Sequence, residues 1–154
     1  MTAPPLTDRA ALLAHRARVR DDALFLHREA RADVEERLAA VNRTFTAPAI
    51  ITGLPQIWGD LASGAKVVAD TETLDLAPGA HDLIVHAMAL HWADDPVGQL
   101  VQARRALRPD GLFLAVAFGG QTLQELRRVM AEAESRARGG LSPRIAPMGE
   151  VRDM

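Results

Sequence analysis

The chain has no cysteine and no tyrosine, and only 4% of its 154 residues are aromatic. Without a thiol it can have no disulfide framework, thiolate metal site or cysteine nucleophile. Lysine is almost missing: Lys66 stands alone against 17 arginines, which, with 28 alanines, reads as compositional bias more than as a design for phosphate contacts. The net charge of −2 gives nucleic-acid binding no support. Long hydrophobic runs are absent as well. No stretch approaches the roughly 18 apolar residues that span a bilayer. The N-terminal stretch carries Asp8, Arg9, Arg16, Arg18 and Arg20 in place of a signal core, so a cytoplasmic protein with no transmembrane segment is expected.

What is present suits one globular domain, with 48% apolar and 25% charged residues. Such a chain buries roughly two thirds of its unfolded surface and needs no staple. Its charge is uneven: residues 1–43 carry +1, residues 44–98 carry −6 and residues 99–154 carry +3. The middle third repels polyanions.

Helical spacing of Leu26, Ala30, Val34, Leu38 and Val41 predicts an amphipathic helix over 22–41, preceded by a shorter one with Thr7 as N-cap. Ile50 and its neighbours form a strand stopped by Gly53 and Pro55, and 56–62 suits two helical turns. Residues 66–70 and 81–87 are short apolar runs, read as buried strands. From Pro96, a helix with Val97, Leu100, Val101, Arg104 and Leu107 on one face leads through Arg108-Pro109-Asp110-Gly111 into an apolar strand over 112–118. Thr122 and Glu125 form a capping box for a last helix, with Leu123, Leu126, Met130, Ala133 and Ala137 on one face, ending at Gly139-Gly140. A loop over 141–147 and the first turns of another helix follow. Strands without polar alternation, alternating with helices, imply an α/β fold with a parallel sheet.

Several of these pieces, in order, resemble the second half of a class I S-adenosylmethionine-dependent methyltransferase: Val68-Ala69-Asp70, Pro78-Gly79-Ala80-His81-Asp82-Leu83-Ile84-Val85, Leu90-His91-Trp92 and Leu107-Arg108-Pro109-Asp110-Gly111-Leu112. Phe118-Gly119-Gly120-Gln121-Thr122-Leu123-Gln124-Glu125-Leu126 and Gly139-Gly140-Leu141-Ser142-Pro143 narrow the likeness to the branch with biotin-pathway malonyl-carrier methyltransferases and the methyltransferase-like assembly factor of respiratory complex I, favouring the latter. Asp8-Arg9, Phe25-Leu26-His27, Glu36-Arg37-Leu38 and Arg43-Thr44-Phe45 resemble that branch's leader.

The resemblance implies a Rossmann-like fold, a mostly parallel sheet flanked by helices and incomplete at its C-terminal end. It implies a helical leader over 1–46 and a truncated methyltransferase-like α/β domain over 47–154. It further implies S-adenosylmethionine held near Gly53, Asp70, Glu72, His91 and Trp92, with methyl transfer to an unknown acceptor. His91, within loop reach of Asp94 and Asp95, is the candidate general base. His81, His86 and His91 do not converge at metal-ligand spacing, and no metal is expected.

Two departures weigh against that activity. Where the family has a glycine-rich turn, this chain has Ile51-Thr52-Gly53-Leu54-Pro55, and proline supplies no N–H while side chains occupy the space that glycines leave. The interval from Ile50 to Asp70 is also too short for the strands and helix the family fits there. Asp70 therefore matches the end of the family's second strand by spacing and of its third by neighbouring residues. Trp58 is expected as a core or lid aromatic that replaces the missing cover. The alternatives to methyl transfer are a cofactor-free assembly or binding factor with a protein partner, or a cofactor-dependent hydroxylase of the same branch.

Overall fold

A computed structural model describes residues 5–142 and 149–150. It divides into two compact units, Met1–Ala117 and Phe118–Met154. The first holds α1 (Arg9–Ala17), α2 (Phe25–Ala40), β1 (Pro48–Thr52), α3 (Pro55–Trp58), β2 (Lys66–Val68), β3 (His81–Ala87), α4 (Pro96–Ala106) and β4 (Leu107–Val116); the second holds α5 (Gln124–Arg138).

The four strands make one parallel sheet in the order β2-β1-β3-β4. β1 and β3 are buried along their whole length, as apolar runs without alternation require. The sheet turns back at β1 and β3: the chain steps from β1 to β2 on one side and then crosses to β3 on the other. This reversal leaves a crevice beyond the C-terminal ends of β1 and β3, where ligands collect in open α/β sheets.

Period-two alternation sends Ala49, Ile51 and Ile84 to one face, where Ala103, Ala106 and Leu107 complete a core with Val68 and Leu74. Ile50, Leu83 and Val85 are fully buried on the other face. Val34 of α2 and Trp58 of α3 are also fully buried. Arg31 of α2 donates to the Ile57 carbonyl and pairs with Asp60, which ties α2 to the α3 segment.

The structure corrects several helix expectations. The first helix is capped by Asp8, whose carboxylate accepts from the Ala11 N–H, and not by Thr7. In α2, Leu26 faces solvent, and the helix buries Val34 with His27 and Leu38 partly covered. In α4 the apolar Val97 and Val101 are exposed, and the buried stripe is Gln99, Ala103 and Ala106. The glutamines go inward because each finds partners there: Gln99 bonds His86 and the Thr71 carbonyl, and Gln102 bonds Leu74 N–H and the Glu72 carbonyl. A satisfied buried amide costs little, so periodicity of apolar residues misassigned this face.

Boundaries also shift. The helix expected over 56–62 is the single turn α3, beginning with Pro55 at its first position, and β2 stops at Val68, before Asp70. The expected 108–111 break is a bulge inside β4: His81 pairs with Leu107 and Leu83 with Leu112, with Asp110 at φ 62° in the intervening loop-out. β4 ends at Val116, short of Phe118.

In the second unit, Thr122 does not cap α5. Its hydroxyl donates to the Gly119 carbonyl, while Leu123, at φ 56°, stands at the cap position. Leu123 and Leu126 are exposed, and Glu134 is the buried residue of α5, accepting from Ser142 N–H and its hydroxyl. The helix ends on Gly139, whose left-handed φ of 68° suits glycine. Of the helix turn expected over 148–154, only 149–150 are described and they are not helical; the rest of it, and most of the loop before it, lie outside the described residues.

Candidate functional site at the C-terminal edge of the sheet

A cavity of about 200 Å³ lies at the reversal of the sheet, with Thr52, Gly53 and Leu54 from the end of β1, and Ala87 and Met88 from the end of β3, in its floor. Leu12 and Arg16 of α1 and His27 of α2 close it from the leader side, and Trp92 forms part of its wall. Met88 holds φ at 51°, an uncommon conformation for a residue with a Cβ, and its N–H is tied to the Val116 carbonyl. Strain of this kind gathers at the edges of ligand sites.

Asp70 follows β2 and is 3% exposed. Arg16 meets it with two bonds in a fork, Nη1 to Oδ1 at 2.8 Å and Nη2 to Oδ2 at 2.7 Å, and Arg9 adds longer contacts of 3.3 and 3.5 Å. Burial opposes the charge on Asp70, but the hydrogen bonds and charge of Arg16, followed by those of Arg9, outweigh it and hold the carboxyl below its usual range. The guanidinium of Arg16 lies directly over Gly53, where a Cβ would overlap its central carbon. A side chain there would have to displace the guanidinium from its seat on Asp70.

Of the other expected residues, Trp92 lines the cavity together with Gly53. Glu72 accepts the Asp94 N–H at 3.0 Å and the Asp95 N–H at 3.2 Å, binding the loop after β2 to the loop after β3. His91 and Trp92 share a short 3-10 turn, with ring centroids 5.2 Å apart. The imidazole of His91 is pushed down to about 4, first by burial and then by the cationic forms of His27, Arg16 and His86, with Asp70 opposing. At neutral pH it is uncharged, yet a base of that strength is poorly matched to proton abstraction near pH 7. Asp94, considered as its carboxylate partner, instead accepts the Leu6 and Thr7 N–H groups at 2.7 and 2.9 Å. Asp95 caps α4 through the Gly98 N–H.

The sequence reading missed both arginines. Their only local signal was a polar leader with arginines at positions 9 and 16, two turns apart on one helix face. It also missed the Trp58–His27 pair, in which indole Nε1 donates to Nδ1 at 3.2 Å, although Trp58 is the expected buried aromatic. Among the described residues, no group of three or more His, Asp or Glu is placed to hold a metal ion.

Of the residues expected to hold S-adenosylmethionine, Gly53 and Trp92 line the crevice, and Asp70 is joined to it through Arg16. At the methionine end the donors are missing. The Leu54 N–H is taken by the Thr52 hydroxyl at 3.0 Å, Pro55 has none, and α3 is a single turn. The open volume falls below the roughly 300 Å³ at which ligand pockets usually begin. In this conformation Arg16 fills the space over Gly53, and the cavity does not accommodate a group the size of S-adenosylmethionine.

Residues 28–115, more than half of the chain, match the methyltransferase domain family. The chain belongs to that family. It is 42% identical over 89 residues to the human protein named arginine-hydroxylase NDUFAF5, mitochondrial, an overlap of 58% of this chain and 26% of that protein. It is 42% identical over 67 residues to a malonyl-[acyl-carrier protein] O-methyltransferase of Laribacter hongkongensis, covering 44% of this chain and 23% of the other. The chain thus spans about a quarter of the length of these relatives. A solved S-adenosylmethionine-dependent methyltransferase of Thermotoga maritima shares the fold, with a TM-score of 0.52 at 13% identity over 86% of this chain and 70% of that one. The Rossmann-like methyltransferase fold expected from the sequence is thereby shown, and the chain is methyltransferase-like. Among the described residues no helix is long and apolar enough to cross a membrane.

Proposed function

We propose that this chain is an S-adenosylmethionine-dependent methyltransferase-like domain whose cofactor crevice lies over Gly53, with Asp70 receiving the nucleoside and Glu72, His91 and Trp92 bordering it. The observation that carries this reading is Asp70 itself: a buried carboxylate held below its usual range just after β2, with its partner Arg16 lying against Gly53 at the end of β1. Methyl transfer to an acceptor of unassigned identity is the activity that goes with such a crevice. Calorimetric titration with S-adenosylhomocysteine tests it. Saturable heat is expected, lost in Asp70→Asn, and no heat at millimolar ligand would sink the cofactor reading.

A second reading is favoured by the Leu54-Pro55 turn and by Arg16 lying over Gly53. On it the chain keeps the methyltransferase shape without the cofactor and serves as a binding or assembly factor for a protein partner. Hydroxylation of arginine is in the names of the human and other NDUFAF5 relatives, and no particular residue of this crevice favours it.

A further inference from the structure

The crevice is closed by the chain's own leader. No residue of α1 is fully buried, unlike α2, which is anchored by Val34. Beside the half-buried Leu12, what holds α1 down is polar: the Arg16 fork and Arg9 on Asp70, and the Asp94 carboxylate on the Leu6 and Thr7 N–H groups just before the helix. Between α1 and α2 the chain passes through the Val19-Arg20 extension and one 3-10 turn, Asp21–Leu24, which leaves α1 tethered on a short link. An element attached through ion pairs and hydrogen bonds, with little apolar burial, belongs to the low-stability end of a fold and opens locally without unfolding the sheet.

We propose that α1 is a built-in gate on this crevice, latched by Arg16 and Arg9 on Asp70, and that a ligand enters only when the latch is released. Arg16 occupies both things an incoming nucleoside would need, the carboxylate and the space above Gly53, so closure by α1 and occupancy of the crevice are mutually exclusive. A ligand that offered hydroxyl or amino donors to Asp70 would replace the guanidinium and spare the buried carboxylate from being left unpaired. The identity of that ligand rests on the cofactor reading above; the latch itself does not.

The test uses the full chain in three forms: wild type, the Arg9→Ala/Arg16→Ala double variant, and Asp70→Asn, which removes the latch charge while keeping the side-chain shape. Amide hydrogen exchange over 9–17 reads the gate, and calorimetry with S-adenosylhomocysteine reads the crevice. Protection of α1 is expected to fall at least tenfold in both variants, with exchange over β1 and β3 unchanged. S-adenosylhomocysteine is expected to bind the double variant at least tenfold more tightly than wild type, and to raise α1 exchange in wild type at saturation. Unchanged α1 protection in both variants overturns the gate, as does equal affinity of wild type and double variant. A loosened α1 with no ligand bound by either protein upholds the gate and sinks the cofactor reading instead.

Discussion

His86 of β3 and Gln99 of α4 are joined inside the core by a 2.8 Å bond between Nε2 and Oε1, with both residues essentially without solvent exposure. The orientation of the amide is set from its other end, where Nε2 donates to the Thr71 carbonyl at 3.0 Å. Gln99 Oε1 must therefore accept, so the histidine carries its proton on Nε2 and leaves Nδ1 as a bare acceptor with no partner among the described residues. This pair links the strand that floors the crevice to the loop that carries Asp70 and Glu72.

Replacing Gln99 by leucine keeps the volume and removes both bonds. Two buried groups, His86 Nε2–H and the Thr71 carbonyl, then lose their partner, and the expected loss of unfolding free energy is about 2 kcal/mol. Urea denaturation followed by circular dichroism checks it; a change near zero would mean that water serves these groups equally well.

Acid destabilisation should begin well above the carboxylate range. Burial lowers the titration of His27, His86 and His91, in the last case to about 4. A histidine depressed in the folded state binds its proton more readily when unfolded, so its contribution is intact above about 6.5 and is lost as pH falls from there toward about 4. For His91, whose ring is partly exposed, the effect is about 2 kcal/mol by the lower end. Thermal unfolding midpoints measured between pH 7 and 4.5 should fall steadily, and His91→Asn should flatten that slope.

Asp82 acts in a lower window. Burial disfavours its charge, but Thr46 N–H and hydroxyl on one oxygen, and Ala47 N–H on the other, outweigh this and hold it at about 2. A depressed carboxyl stabilises the fold above its ordinary value of 3.8 and loses that contribution as pH drops toward about 2. Asp82→Ala is expected to cost about 3 kcal/mol at neutral pH, with three donors left behind, and Asp82→Asn appreciably less. Chemical denaturation of the two variants side by side gives the comparison.

Trp58 stands where the sequence is too short to supply further cover, and it is fully buried. Trp58→Ala should cost about 4 kcal/mol through the cavity it leaves. Trp58→Phe, which keeps most of the volume and drops the bond to His27, should cost about 1 kcal/mol. Equal losses in the two variants would show that packing contributes less than the hydrogen bond.

Restoring glycines in the turn probes the other half of the crevice. Leu54→Gly with Pro55→Gly returns an N–H and backbone access at the methionine end. Added to the Arg9→Ala/Arg16→Ala background, it is expected to tighten S-adenosylhomocysteine binding at least tenfold further. No gain would show that the shortened span between β1 and β2, more than the turn, limits the site.

Much of the framework was legible from residues alone. β3 runs over His81–Ala87, as its apolar run and the preceding Pro78-Gly79 turn predict, and Pro96 opens α4 at its first turn. Gly139 closes α5 as expected. The failures share one cause. Val97, Val101 and Leu26 have the right spacing for burial, yet the structure buries Gln99 and part of His27 because distant groups complete their hydrogen bonds. Periodicity reads hydrophobicity along one element and is blind to such partners. The capping box at Thr122 fails likewise, since the hydroxyl turns back to Gly119.

The site divides along the same line. Residues alone point to the parallel α/β class, to acidic groups near the expected cofactor edge and to the loss of the glycine-rich turn, because each follows from local composition and the conformational limits of glycine and proline; the reversal of the sheet near Gly53 comes from the strand order. What Asp70 binds is set by the fold. Its partners lie 54 and 61 residues away in sequence, on a helix with no fully buried residue, and they meet the carboxylate because the leader folds back across the crevice. A charge in a leader has no address until the fold supplies one, and here the buried carboxylate, which cannot stay unpaired away from water, is what draws Arg16 and Arg9 to it.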